Sequence, residues 1–214
     1  MTPDLVIFDC DGVLVDSEGP SNDVTVKNLA RYGLTLSVDE GMALFMGLSM
    51  TAMRQKIIDM GTDLPESWID ELYQETYARL RRGVDPIPGV VDILDHLDAT
   101  DILYCVVSNG SEEKMGITLG QNGLLDRFNG AIFSAHSLGV SKPDPALFHS
   151  ALDKFHIAPD RAVVIEDSPS GVIGAVRAEI PCYGFAPHDD GQALVAAGAA
   201  VFHEMKELTG LLDL

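Results

Sequence analysis

The chain has 214 residues, 46% of them hydrophobic, a formal net charge of −19 and three cysteines. That length can bury one full core and a modest second one, and the charge repels the phosphate backbones of nucleic acid and the anionic faces of membranes, so neither is an expected partner. Cys10, Cys105 and Cys182 are too few and too scattered for a secreted disulfide scaffold or a structural zinc site, and there is no long uncharged apolar run or signal-peptide pattern, so a soluble, cytoplasmic protein is expected.

In chain order, the apolar run Leu5-Val6-Ile7-Phe8 reads as a buried strand that ends abruptly at Asp9. Residues 20–85 then carry only helical patterns, over about 21–32, 38–45, 49–60 and 65–82. Their flanks, Ser17-Glu18-Gly19-Pro20 and Asp85-Pro86-Ile87-Pro88-Gly89, hold the Gly and Pro expected of linkers, which predicts a mobile helical cap over the strand ends. From Gly89 onward, helix and strand alternate: helices at 90–97, 111–122, 145–156 and 169–178, strands at 103–108, 131–134 and 162–167. The expected fold class is α/β, a doubly wound, Rossmann-like parallel sheet with an inserted helical cap. The core comprises residues 1–19 and 86–214, the cap residues 20–85. Ligands in such sheets collect at the carboxyl ends of the strands.

Chemistry concentrates where the first strand ends, at Asp9-Cys10-Asp11-Gly12. Carboxylates two residues apart repel each other unless a divalent cation sits between them, and oxygen-only ligands favour magnesium over zinc. Alone, such a pair is as readily a solvated acidic turn. It has company at other strand ends, however: Ser108-Asn109, Lys142-Pro143-Asp144-Pro145 and Glu166-Asp167. A nucleophile, metal-binding acids, a lysine and hydroxyl donors form the inventory that phosphoryl transfer needs. Each also has a plainer reading, as a turn, a surface lysine or a helix cap.

With these four motifs in order, the whole chain resembles the haloacid dehalogenase superfamily, in particular its members with a helical cap after the first motif. These include β-phosphoglucomutases and small sugar-phosphate phosphatases, and the motif wording is similar to that of bacterial 6-phosphogluconate phosphatases. The resemblance implies a phosphatase in which Asp9 is the nucleophile and Asp11 the acid and base. It further implies Mg2+ held by the Asp9 side chain, the Asp11 main-chain carbonyl and Asp167, with Glu166 a ligand or an acid behind it. Ser108 and the Asn109 main chain would bind phosphoryl oxygens, and Lys142 would pair with phosphate and Asp9. A monomer acting on a small phosphorylated metabolite is expected.

The remaining candidates read as structural. A cysteine-dependent phosphatase needs Arg six positions after its Cys, where this chain has Asp16, Ser111 and His188, and strand alternation turns Cys10 away from Asp9 and Asp11. The six histidines form no ligand-type pair, and Met42, Met46, Met50, Met53 and Met60 read as filling for the cap. Arg54 and Arg79 are candidate substrate contacts from the cap, with a solvated helix end the alternative. Other functions weighed are a receiver-like domain, whose phosphoacceptor would sit on a middle strand, a catalytically silent binding module, and a phosphoglucomutase. In the mutase pattern, the segment Gly47-Leu48-Ser49-Met50 would carry Arg at the position of Met50, and a hinge histidine would stand at Ser21. Neither is present, so hydrolysis is expected over isomerisation.

Overall fold

Seen in the computed structural model, which describes residues 2–45, 48–128 and 130–214, the first apolar run is strand β1, Leu5–Phe8. Four helices follow: α1 Glu18–Arg31, α2 Val38–Phe45, α3 Met50–Asp59 and α4 Trp68–Leu80. Next come α5 Val90–Ala99, β2 Leu103–Ser108, α6 Glu112–Gln121, β3 Ile132–Ser134, α7 Ala135–Leu138 and α8 Ala146–Phe155. The chain closes with β4 Ala162–Glu166, α9 Pro169–Arg177, β5 Cys182–Phe185, α10 Gln192–Ala197, β6 Ala200–Phe202 and α11 Leu208–Leu211. The chain divides into an α/β unit, Met1–Asp16 with Asp85–Leu214, and a helical unit, Ser17–Val84.

In the α/β unit the strands form one parallel sheet in the order β3-β2-β1-β4-β5-β6. The period of two along β1 sends its side chains into two separate cores. Val6 and Phe8 pack with α5 and α6 through Ile93, Leu94, Met115 and Leu119. Leu5 and Ile7 pack on the other side with Phe148, Ala151, Val172 and Ala175 from α8 and α9. All four β1 side chains are fully buried, which is why the strand reads as a continuous apolar run instead of an alternating one. With β2 on one side and β4 on the other, β1 is central, and its carboxyl end opens between the ends of its neighbours.

The helical unit has its own core of Leu29, Phe45, Ile57, Leu64, Trp68 and Leu72, with Met50 and Met53 packed against it. Met46 and Gly47 lie outside the described residues. No helix among the described residues is long and apolar enough to cross a membrane.

Three differences from the sequence reading have physical causes. The expected linker Ser17-Glu18-Gly19-Pro20 is largely helical, because Pro20 falls in the first turn of α1, where its missing N–H has no partner to lose. The fourth helix starts at Trp68 and not at residue 65, with the Trp68 N–H closing a turn on the Pro65 carbonyl. Strands β5 and β6 were not anticipated. One is four residues with an internal glycine and the other three residues, too short for a periodic signal.

Candidate active site

The turn after β1 is built from backbone bonds and buried apolar anchors. The Gly12 N–H donates to the Val15 carbonyl at 2.9 Å, and Leu14 and Val15 both donate to the Cys10 carbonyl. Val13, Leu14 and Val15 are fully buried beneath it. Cys10 packs with Val6 and Phe8, on the face opposite Asp9, as the strand alternation requires. Gly12 has φ +78°, and a Cβ there would fall 1.9 Å from Asp167 Oδ2, so only glycine lets that carboxylate close on the turn. Asp9 itself is fixed by its N–H, which donates to the Ile165 carbonyl at 2.9 Å.

Asp9, Glu166 and Asp167 each bring a carboxylate oxygen within 4.8 Å of the others. Lys142 enters this group from the loop before α8, 2.7 Å from Asp9 Oδ1 and 2.6 Å from Glu166 Oε1. Two features aim it. Its N–H donates to Asn109 Oδ1 at 2.8 Å, and its ammonium lies 5.6 Å from the centre of the Phe148 ring. The other oxygen of Glu166 accepts from the Ser168 N–H and hydroxyl, both at 2.9 Å. Both Glu166 oxygens are therefore engaged, and the side chain is fully buried. At Gly171 a Cβ would fall 1.8 Å from Glu166 Oε1, so α9 must present bare backbone here.

Burial pushes the Asp9 carboxyl up to about 7, with Lys142 opposing and Glu166 and Asp11 reinforcing the rise. Burial disfavours the Lys142 ammonium too, but Asp9 and Glu166 outweigh it and hold its pKa above the ordinary lysine value. Three carboxylates thus face one lysine, an all-oxygen donor set short of positive charge. A hard divalent cation fits it on charge and on donor chemistry.

At the end of β2, Ser108 is buried, its Oγ accepting the Gly110 N–H at 3.0 Å, and Ser134 Oγ donates to the Gly110 carbonyl at 2.7 Å. All seven residues expected from the sequence lie in the α/β unit, at or just beyond the carboxyl ends of β1, β2 and β4 and in the loop before α8. Sequence reasoning missed Lys114, whose Nζ lies 2.8 Å from Asp11 Oδ2. A signal was present, since a lysine in the first turn of α6 opposes the helix dipole and calls for a nearby anion. Arg54 and Arg79 are engaged inside the helical unit. Arg54 donates to the carbonyls of Leu64 and Pro65, and Arg79 to that of Gly83. A cavity of about 580 Å³ elsewhere in the α/β unit, lined by Ile87, Phe185, His188 and His203 among others, contains none of the site residues. The chemistry follows the charged side chains, not that volume.

A family model described as haloacid dehalogenase-like hydrolase matches residues 6–185. The 6-phosphogluconate phosphatase of Escherichia coli strain K12 is 27% identical over 208 residues, which cover 96% of this chain and 93% of that protein. A conserved haloacid dehalogenase-like protein of unknown function from Agrobacterium tumefaciens superimposes with a TM-score of 0.87 at 33% identity, over 98% of this chain and 97% of the other. A haloacid dehalogenase family hydrolase from Deinococcus radiodurans, solved with bound phosphate and sodium, does so with a TM-score of 0.81 at 31% identity, over 99% and 96%. The match over most of the chain, together with the parallel sheet and the acids and lysine gathered at its strand ends, places this chain in the haloacid dehalogenase-like hydrolase family, as an enzyme of that family.

Proposed function

We propose that this enzyme is a magnesium-dependent phosphatase of small phosphorylated metabolites, a sugar phosphate or a sugar-acid phosphate such as 6-phosphogluconate, acting through an aspartyl phosphate on Asp9. The observation that carries the reading is the Asp9 carboxylate, held 2.7 Å from Lys142 and clustered with Glu166 and Asp167 at the end of the central strand. The Asp9 and Asp167 side chains and the Asp11 carbonyl would hold the metal. Glu166, with both oxygens engaged, aims Lys142 instead of binding it. A bound magnesium ion supplies charge neutralisation at the phosphoryl oxygens and keeps Asp9 ionised.

Asp9 attacks phosphorus as the ester P–O bond breaks, and Asp11 gives its proton to the departing alkoxide. Asp11 then takes a proton from water, which attacks the same phosphorus, frees Asp9 and releases phosphate. Ser108 Oγ, the Asn109 N–H and Lys142 bind the phosphoryl oxygens and offset the repulsion of an anionic substrate by a chain of net charge −19. The substrate class is supported by the similarity to the E. coli 6-phosphogluconate phosphatase. Hydrolysis over mutase chemistry is supported by Met50, an uncharged side chain packed on the core of the helical unit, and by Ser21, whose hydroxyl donates to the Ser17 carbonyl at 2.7 Å.

The test is a screen of phosphorylated sugars and sugar acids with magnesium and with excess chelator. Phosphate release that needs magnesium is expected, and full turnover in chelator would overturn the metal assignment. With β-glucose 1-phosphate and a trace of the bisphosphate, phosphate or nothing is expected. Glucose 6-phosphate accumulating faster than phosphate would make the enzyme a mutase.

A further inference from the structure

Two lysines reach the strand ends, and the chemistry above employs only Lys142. We infer that Lys114 is a positioning residue for the reaction: its ammonium pins one oxygen of Asp11, so that the other is presented to the leaving group and then to water. This rests on the reading of Asp11 as acid and base.

Lys114 is the third residue of α6, and its N–H donates to Ser111 Oγ at the helix cap. The first turn of a helix carries partial positive charge, which opposes a cation there. Capping and the helix dipole give no reason for a cation at this place. Its side chain turns to Asp11 Oδ2 at 2.8 Å, with the lysine and aspartate side chains only 19% and 18% exposed, so the pair is screened far less than a surface ion pair.

Gly110 and Ser108 lie beside the Asp11–Lys114 pair. A Cβ on Gly110 would stand 3.4 Å from Asp11 Oδ2, 3.7 Å from Lys114 Cδ and 3.3 Å from Ser108 Oγ. The Asp11 carboxylate is thus flanked by Gly110, the Lys114 side chain and the Ser108 hydroxyl. Lys142 cannot substitute, because its ammonium already bridges Asp9 and Glu166. Each of the two reacting acids therefore has its own lysine. Without Lys114 the Asp11 carboxylate loses this 2.8 Å ion pair, and a displacement of about 1 Å in a reacting group costs on the order of 10²-fold in rate.

The variant Lys114→Met keeps most of the side-chain volume and removes the ammonium, and Lys114→Arg keeps a cation. With magnesium, Lys114→Met should lower kcat for 6-phosphogluconate by about 10- to 100-fold and leave KM within about threefold. Single-turnover release of p-nitrophenolate from p-nitrophenyl phosphate, a leaving group that needs no proton, should stay within about threefold of the unaltered protein. Lys114→Arg should recover part of the 6-phosphogluconate rate. A crystal structure of Lys114→Met should show the Asp11 carboxylate turned from its present position. A raised KM at unchanged kcat would make Lys114 a substrate-binding group, and equal losses with the two esters would remove Asp11 from its action; either overturns the inference. Failure of the phosphatase reading itself would show in the unaltered protein, as no magnesium-dependent phosphate from either ester. The crystal structure of Lys114→Met reads the pinning apart from turnover, and an Asp11 carboxylate left in its present position overturns the inference.

Discussion

In the helical unit, Glu71 and Glu75 share Arg31 at 2.6 Å, and Asn28 donates to both. At the strand ends of the α/β unit, Asp9 and Glu166 share Lys142 at closely similar distances. The surroundings separate them. Glu71 also accepts from the Tyr32 hydroxyl, which does most to hold its pKa below the ordinary carboxylate value, and its side chain is 34% exposed. Asp9 is buried, and burial drives its pKa the other way, to about 7. An acid surrounded by donors and water is content as an ion and serves the architecture. One that is desolvated among other acids with too little positive charge gains most from a metal and a phosphoryl group.

The largest expected effect sharpens that contrast. Asp9→Asn should abolish phosphoenzyme, followed by mass spectrometry of the quenched protein, and Asp11→Asn should slow turnover by roughly 10²–10⁴. Glu71→Gln should leave the rate within about twofold. Wild-type rates in Asp9→Asn, or a large loss of rate in Glu71→Gln, would reverse the assignment of the two clusters.

Stability gives a second contrast. Lys142→Met strands two buried carboxylates and should cost about 3–5 kcal/mol in urea unfolding with chelator present. Glu71→Gln, in a partly solvated network with other donors, should cost about 1 kcal/mol or less. Comparable losses would mean that burial does not distinguish the clusters.

The smallest effect is in acid. Because folding lowers the Glu71 pKa from its ordinary 4.5, the stability it contributes is fully present above pH 4.5 and is lost as the pH falls through the folded value. Glu71→Gln should therefore flatten the decline of stability below pH 4.5, read from urea midpoints. An unchanged decline would remove Glu71 as its source.

Much of the fold was legible because the carriers were long or strongly patterned. The run from Leu5 to Phe8 is fully buried in the sheet, and α2 spans residues 38–45 as read from its periodicity. Ser49, Ser111 and Ser168 each cap a helix through the side chain, as short polar residues before apolar periodicity do. Strands β5 and β6 were not legible, since Cys182-Tyr183-Gly184-Phe185 and Ala200-Val201-Phe202 are too short to carry a periodic signal. They become strands because the edge of β4, and then of β5, offers unpaired backbone groups to pair with.

By itself the sequence determined which chemistry was available: acids two apart after an apolar run, a serine and asparagine after another, a lysine before a helix and paired acids after a third strand. Those features are local, and a parallel strand that stops at a polar residue places it at the carboxyl end of the sheet, where ligands collect. Only the tertiary structure decided how the charges are shared. It gave Lys142 to both Asp9 and Glu166, brought Lys114 to Asp11 across more than a hundred residues of chain, and spent Arg54 and Arg79 on nearby carbonyls. Coulomb attraction depends on separation and burial, and neither exists until the strands pair and the helices cover them.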